Sequence, residues 1–281
     1  MKVLALLNIK GGVAKTTTVT TVSHLLAEKY NKKVLVVDLD PQANTTALFA
    51  DEDYFQRFIE KANGNPQTED KSICNVLVGE DVRESIMKTK YANLDIIKSD
   101  LRLAEIENML KADVTVPQQF KLKRALDQVA DEYDYCLLDC SPSINLININ
   151  GLTVADEVYI PTRADGYSLD GVMLAQSLVE TVAGYNTKIK VGGVFFTAWE
   201  NHNCHKTAYQ LLEKILGDQL LPFRINKNKH LTENTMRQKP LLELDKGQRT
   251  KATQAYVALT EYILAKDKEK FVEEYKNREN G

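Results

Sequence analysis

Lys10-Gly11-Gly12-Val13-Ala14-Lys15-Thr16-Thr17 follows an apolar run, Val3-Leu4-Ala5-Leu6-Leu7, and precedes a helical pattern from Thr17 to Tyr30. Strand, glycine turn and helix, in that order, make an anion site. The turn aims backbone N–H groups inward, and the helix N-terminus adds partial positive charge. Gly11 and Gly12 lack a Cβ and let the backbone come close to a phosphate. In such a loop Lys15 reaches the β- and γ-phosphates and the Thr16 hydroxyl faces Mg²⁺. The common pattern G-x-x-x-x-G-K-[ST] is not met, because its outer glycines would fall on Ile9 and Ala14. The pattern that is met is K-G-G-x-x-K-[ST], with a second lysine at Lys10. A plain glycine turn with two solvated lysines would not need the strand and helix that flank this one.

Lys32 and Lys33 lead into Val34-Leu35-Val36-Val37, a β-branched run suited to a central parallel strand. It ends at Asp38-Leu39-Asp40-Pro41-Gln42-Ala43-Asn44. In open α/β sheets ligands sit at the carboxyl ends of strands, so both aspartates arrive beside the loop. There Asp40 could orient or deprotonate an attacking water, and Asp38 could hold Mg²⁺ through water. The bland alternative is an Asp-Pro turn that merely ends a strand. A second apolar strand, Tyr135-Cys136-Leu137-Leu138, ends in Asp139-Cys140-Ser141-Pro142, the arrangement in which an aspartate holds a Mg²⁺-bound water. The metal-side candidates are therefore Thr16, Asp38, Asp40 and Asp139.

The loop Lys10–Thr17 and the segment Asp38–Asn44 together resemble the ParA/Soj family of DNA-segregation ATPases, within the ParA/MinD group. The resemblance covers most of the chain and is weakest at about residues 50–72. It implies ATP and Mg²⁺ as cofactors, with Lys10 free to reach the nucleotide of a partner subunit and Asp40 needed for hydrolysis. Ala14 stands where relatives usually carry Gly, and Ser141-Pro142 where they usually carry two prolines. By the same resemblance Asn150 touches the phosphate side of a partner site, and Thr197 and Asn226 lie near the base.

The 281 residues are 43% hydrophobic with formal net charge −3, enough chain to bury a full core. No run approaches the apolar length a bilayer requires, and Val3 to Leu7 is too short for a signal-peptide core. A cytoplasmic protein is expected, nucleoid-associated if the resemblance holds. Cys74, Cys136, Cys140 and Cys204 form no C-x-x-C pair and are expected as free thiols. The expected fold is a doubly wound α/β domain over residues 1–266 with a mainly parallel sheet. It carries a polar insertion at about 51–71 and ends in a charged tail, 267–281.

Short helices are expected at Ser72–Leu77 and Asp81–Met87, an amphipathic helix at Asp100–Leu110, and another helix at Phe120–Tyr133. Between Arg224 and Lys251 eight residues are Lys or Arg and three are acidic, a local excess of +5. Such a face suits non-specific contact with phosphate backbones. Lys227, Lys229, His230, Arg249 and Lys251 are its candidates, against the alternative of a solvated patch.

The implied function is plasmid or chromosome partition by an ATP-bridged homodimer. It would bind double-stranded DNA without sequence preference and be stimulated by a ParB-like centromere-binding partner. A MinD-like membrane-cycling ATPase is the alternative. A membrane helix needs a wide apolar face bordered by Lys or Arg, and the tail reads as lacking one. An iron-protein type carrier would need paired cysteines at a dimer interface, and a non-enzymatic nucleotide switch would show no turnover.

Overall fold

The structure, a computed structural model, describes residues 1–49, 71–112, 117–165 and 168–280. The expected insertion lies outside them except for Lys71. Eight strands form one sheet: β1 (Lys2–Leu6), β2 (Val34–Leu39), β3 (Ile86–Lys88), β4 (Leu94–Ile97), β5 (Tyr135–Cys140), β6 (Glu157–Arg163), β7 (Lys190–Trp199) and β8 (Leu220–Asn226). Their order is β3-β4-β2-β5-β1-β6-β7-β8. Every neighbouring pair is parallel except β3 with β4. This is the doubly wound arrangement expected from strands that alternate with helices.

Both faces of the sheet are buried, which is why its strands read as continuous apolar runs. Side chains still alternate. Val3, Ala5, Leu35, Val37, Cys136 and Leu138 enter one core, and Leu4, Leu6, Val34, Val36 and Leu137 the other. The first core is covered by α3 (Ile73–Val78), α4 (Leu103–Ala112), α5 (Lys121–Leu126), α6 (Leu146–Val154), α7 (Ser168–Ala183) and α8 (Asn203–Leu216). The second is covered by α1 (Lys15–His24), α2 (Asn44–Phe49), α9 (Lys229–Arg237), α10 (Leu241–Leu244) and α11 (Lys251–Leu264). Cys136 and Cys140 are fully buried in the first core and Cys74 nearly so, while Cys204 is exposed, and all four thiols are free.

Local expectations were met unevenly. The helix after the loop runs regularly to His24 and then widens over Leu25–Lys29, where the Tyr30 N–H donates back to the Leu25 carbonyl. The segment expected as a helix at Asp81–Met87 is one tight turn, Val82–Ser85, followed by β3. There Met87 pairs with Ile96 on the free edge of β4, and sheet pairing overrides a weak local preference. Phe120–Tyr133 is helical only at Lys121–Leu126, flanked by tight turns at Gln118–Phe120 and Asp127–Val129.

Residues beyond 266 differ most from their reading as a charged tail. Lys268–Asn280 is a helix, α12, and its Phe271, Val272 and Tyr275 pack on the second core. The Phe271 ring lies 6.2 Å from Phe223 and 6.3 Å from Tyr262, and Tyr275 lies 4.8 Å from Phe223. Lys268 anchors the start of the helix: its ammonium donates to Glu157 Oε2 at 2.7 Å and to the Tyr159 hydroxyl at 2.9 Å. Burial opposes the Glu157 charge, but Lys268 and Lys2 outweigh it and hold the carboxyl at about 2.

Candidate functional site

Three strand ends converge. Leu6 of β1 and Asp38 of β2 both lie level with Asp139 of β5, so the loop after β1 opens beside two carboxylates. Asp38 is wholly buried and Asp139 is 1% exposed. The loop turns through left-handed backbone at Gly12 (φ 72°) and at Ala14 (φ 65°, ψ 33°). Ala14 caps α1 without a side-chain hydrogen bond, so no side chain competes with an anion for the first N–H groups. A Cβ built at Gly11 or Gly12 meets no atom within 4 Å, which leaves room beside the loop.

Each predicted loop residue can now be placed. Lys15 is buried and donates from Nζ to the Lys10 carbonyl at 3.1 Å. Burial lowers its pKa, and the nearby Asp139 and Asp40 charges work against that. Thr16 donates from Oγ1 to Asp139 Oδ2 at 2.8 Å. Val13 is buried, and its carbonyl accepts from Thr197 Oγ1 at 3.1 Å. Thr17 is half-buried on the first turn of α1. Lys10 forms an ion pair with Asp165, with their side chains 28% and 38% exposed.

The aspartates divide their work. Asp38 Oδ2 accepts from the Thr46 backbone N–H at 2.9 Å and from its hydroxyl at 2.7 Å, and Oδ1 accepts from the Asp40 N–H at 3.1 Å. Asp40 itself is half-buried at the mouth of the site, its Oδ1 accepting from the Gln42 N–H at 2.9 Å. Asp139 Oδ2 accepts from Thr16 and, at 2.7 Å, from the Thr45 hydroxyl, while Oδ1 is buried with no partner among the described residues. Burial first, and then the Asp139 charge, push Asp38 up to about 8. Burial lifts Asp139 to about 6 against the pull of Thr45 and Thr16. Near neutral pH the pair therefore holds a proton that two separate carboxylates would not. An unpartnered buried carboxylate oxygen, a second carboxylate and a threonine hydroxyl form an all-oxygen donor set that fits Mg²⁺.

Other expectations fare differently. The Asn150 side chain is hydrogen-bonded within its own chain. Its carbonyl accepts from the Leu122 N–H at 3.2 Å, and its amide donates to Gln118 O and Leu146 O at 2.8 and 2.9 Å. That buried amide is fully committed to packing α6 against the turn before α5. The Thr197 hydroxyl lies 3.1 Å from both Val13 O and Thr162 O, so its one proton is shared between two carbonyls and it braces the loop against the end of β6. Asn226 ends β8 level with Trp199, half-buried.

The basic candidates fall in two places. Lys227, paired with Glu200 at 3.6 Å, Lys229 and the half-buried His230 follow β8 at the site end. Arg249 and Lys251 are exposed at the start of α11, where the neighbouring Gln248 accepts from Lys29 beyond the far end of α1.

Several residues that matter here carry no motif. Asn8 is fully buried; its Oδ1 accepts from the Lys10 N–H and its Nδ2 donates to Pro161 O, both at 2.8 Å, which fixes the loop's entry. Gly171 of α7 backs it, since a Cβ there would come within 2.6 Å of Asn8 Oδ1. Where relatives have a second proline, Ser141 is held by Asn148, which accepts from the Ser141 N–H at 3.2 Å and donates to Ser141 O and Ser143 O at 2.8 and 2.6 Å.

Residues 1–191 match the family model described as an AAA domain. The Bacillus subtilis sporulation initiation inhibitor protein Soj is 33% identical over 267 residues, 94% of this chain and 98% of that protein. The chain belongs to the ParA/Soj family of partition ATPases. A second ParA/Soj relative, the Treponema pallidum chromosome-partitioning ATPase Soj, is 30% identical over 273 residues, 95% of this chain and 98% of its own. Among solved structures, a Mycobacterium smegmatis protein described as cobyrinic acid a,c-diamide synthase, with a bound ATP analogue and magnesium, superposes with a TM-score of 0.74. It is 26% identical, covering 94% of each chain. The ParA/Soj fold and the ends of β1, β2 and β5 thus agree with the reading of the loop.

Proposed function

We propose that this chain is a Mg²⁺-dependent ATPase of DNA segregation, working as an ATP-bridged dimer that binds double-stranded DNA without sequence preference. A ParB-like centromere-binding partner stimulates hydrolysis and so releases the dimer. The observation that carries the reading is the buried Asp38–Asp139 pair, one of whose oxygens has no partner among the described residues, set against Thr16 of an uncapped loop. Thr16, Asp38 and Asp139 would hold Mg²⁺, directly or through water, and Asp40 stands at the mouth beside them. When bound, the cation neutralises charge on the transferred phosphoryl group.

The chain's own residues do the rest. Lys15 exchanges the Lys10 carbonyl for phosphate oxygens. Asp40, more exposed than the buried pair, places the attacking water. Lys10 leaves Asp165 and reaches the partner's nucleotide. A half-exposed ion pair is worth about 0–1 kcal/mol, so the exchange costs little.

The membrane-cycling alternative is disfavoured because α12 turns Phe271, Val272 and Tyr275 inward onto the core, leaving them unavailable to a bilayer. No helix among the described residues is long and apolar enough to cross a membrane. The cluster-carrier alternative is disfavoured because Cys136 and Cys140 are fully buried in the sheet.

The test is binding to random-sequence duplex DNA with ATP, ADP or no nucleotide, across a salt series. ATP-dependent binding that weakens steeply with salt is expected. Binding indifferent to nucleotide, or none at low salt, refutes the DNA part of the reading and leaves the ATPase part to turnover assays.

A further inference from the structure

We propose that Thr45 is a positioning residue for the magnesium side of the site, tying the segment that follows β2 to Asp139; the proposal rests on the nucleotide reading above. Thr45 and Thr46 are adjacent on the first turn of α2, and both are fully buried. Each grips a different carboxylate. Thr46 holds Asp38 Oδ2 with its N–H and its hydroxyl, and that hydroxyl is itself fixed by accepting from the Ser99 N–H at 2.9 Å. Thr45 crosses to β5 and donates to Asp139 Oδ2 at 2.7 Å.

Two hydroxyls, from Thr16 and Thr45, thus converge on one oxygen of Asp139 and leave the other without a donor among the described residues. A carboxylate held by two donors at one oxygen cannot rotate freely, so the direction of the free oxygen is set. With Thr45 gone, only Thr16 would orient Asp139, and Thr16 is the hydroxyl that a cation on the loop also engages. Partners that orient metal-side ligands from behind are worth 10–100-fold in metal affinity. The same link ties two elements together, because Thr45 lies five residues after Asp40, on the segment that leaves β2. A shift of that segment must move the donor on Asp139.

The experiment titrates Mg²⁺ against binding of a fluorescent, non-hydrolysable ATP analogue to the full chain, with wild type, Thr45→Val and Thr45→Ser. Valine keeps the shape and removes the hydroxyl; serine keeps the hydroxyl and removes the methyl. Thr45→Val is expected to raise the Mg²⁺ midpoint at least 10-fold, while binding at saturating Mg²⁺ is retained and Thr45→Ser stays within about twofold of wild type. An unchanged midpoint in Thr45→Val, or equal shifts in both variants, overturns the proposal while the nucleotide reading stands. Absence of Mg²⁺-dependent binding in the wild type overturns both. Should Thr45→Val fail to fold, the Ser variant decides together with Thr45→Ala: a midpoint raised in Ala and restored in Ser supports the hydroxyl's role, and any other pattern refutes it.

Discussion

The Asp38–Asp139 pair makes the free chain's stability depend on pH in an unusual sense. Asp38 has a folded pKa of about 8 against 3.8 for an ordinary aspartate. Between those values the folded chain holds a proton that the unfolded chain releases. Stability therefore falls as pH rises, by up to about 1.4 kcal/mol per pH unit for one proton. Other groups must be kept out of the window. His24, buried and lowered to about 4 from 6.5, acts in the opposite sense, but its contribution is halved by pH 6.5 and fades above it. Asp139, lifted to about 6, has lost most of its proton by pH 7. Glu157 and Asp245, both held at about 2, lose their stabilising effect only in acid.

From pH 6.5 to 7.5 Asp38 dominates, the remainders of the His24 and Asp139 titrations being smaller and of opposite sign to each other, and the expected loss is about 1 kcal/mol. Urea unfolding in EDTA, without nucleotide, at pH 6.5, 7.0 and 7.5 measures it. Asp38→Asn should remove the slope. It should also lower stability at every pH by roughly 1–3 kcal/mol, because an amide N–H would then face the Asp40 N–H with no acceptor between them. A wild-type profile that is flat or rising over this window, or an Asp38→Asn profile parallel to it, would refute the account of a shared buried proton.

Lys15→Ala should abolish nucleotide binding, measured by titration with a fluorescent analogue, and an unchanged ATPase rate would sink the assignment of the loop. Asp40→Ala should bind ATP and dimerise as wild type does while hydrolysis drops at least ~100-fold, read by phosphate release; normal turnover would show that another group places the water. Removing residues 267–281 should cost about 3 kcal/mol, from three half-buried side chains and the Lys268 contacts, seen as a lower urea midpoint. A truncated chain as stable as the full one would mean that α12 packs without consequence.

The sheet was legible because its strands are buried on both faces and announce themselves as unbroken apolar runs. The positions of Asp38 and Asp139 followed from those runs, since each is the last residue but one of its strand. What could not be read depends on pairing between distant residues. Thr45 meets Asp139 across 94 positions, and Asp165 meets Lys10 across 155, and no local pattern marks either partner. Asn8, between the first strand and the loop, carries no motif, yet its amide joins the loop to Pro161 across the β1–β6 pairing. Asn150 and Thr197 were carried over from relatives by position, and their hydrogen bonds inside this chain show them serving the frame. In α12 eight charges outweighed three apolar residues in composition, although Phe271, Val272 and Tyr275 share one side of a helical turn.

Ala14, at φ 65°, limits how this loop can drift. Alanine codons lie one base change from those of Gly, Val, Thr, Ser, Pro, Asp and Glu. Proline is locked near the opposite sign of φ and cannot be built at this position. Valine and threonine would place a branched Cβ in a backbone region that penalises even a methyl by about 1–2 kcal/mol. Glycine relieves that penalty, and aspartate tolerates it better than most. A saturation library at this codon should therefore return glycine abundantly and the branched residues rarely, whatever selection is applied to turnover. In a lineage, the position behaves as a ratchet that opens toward glycine and resists nearly every other single step.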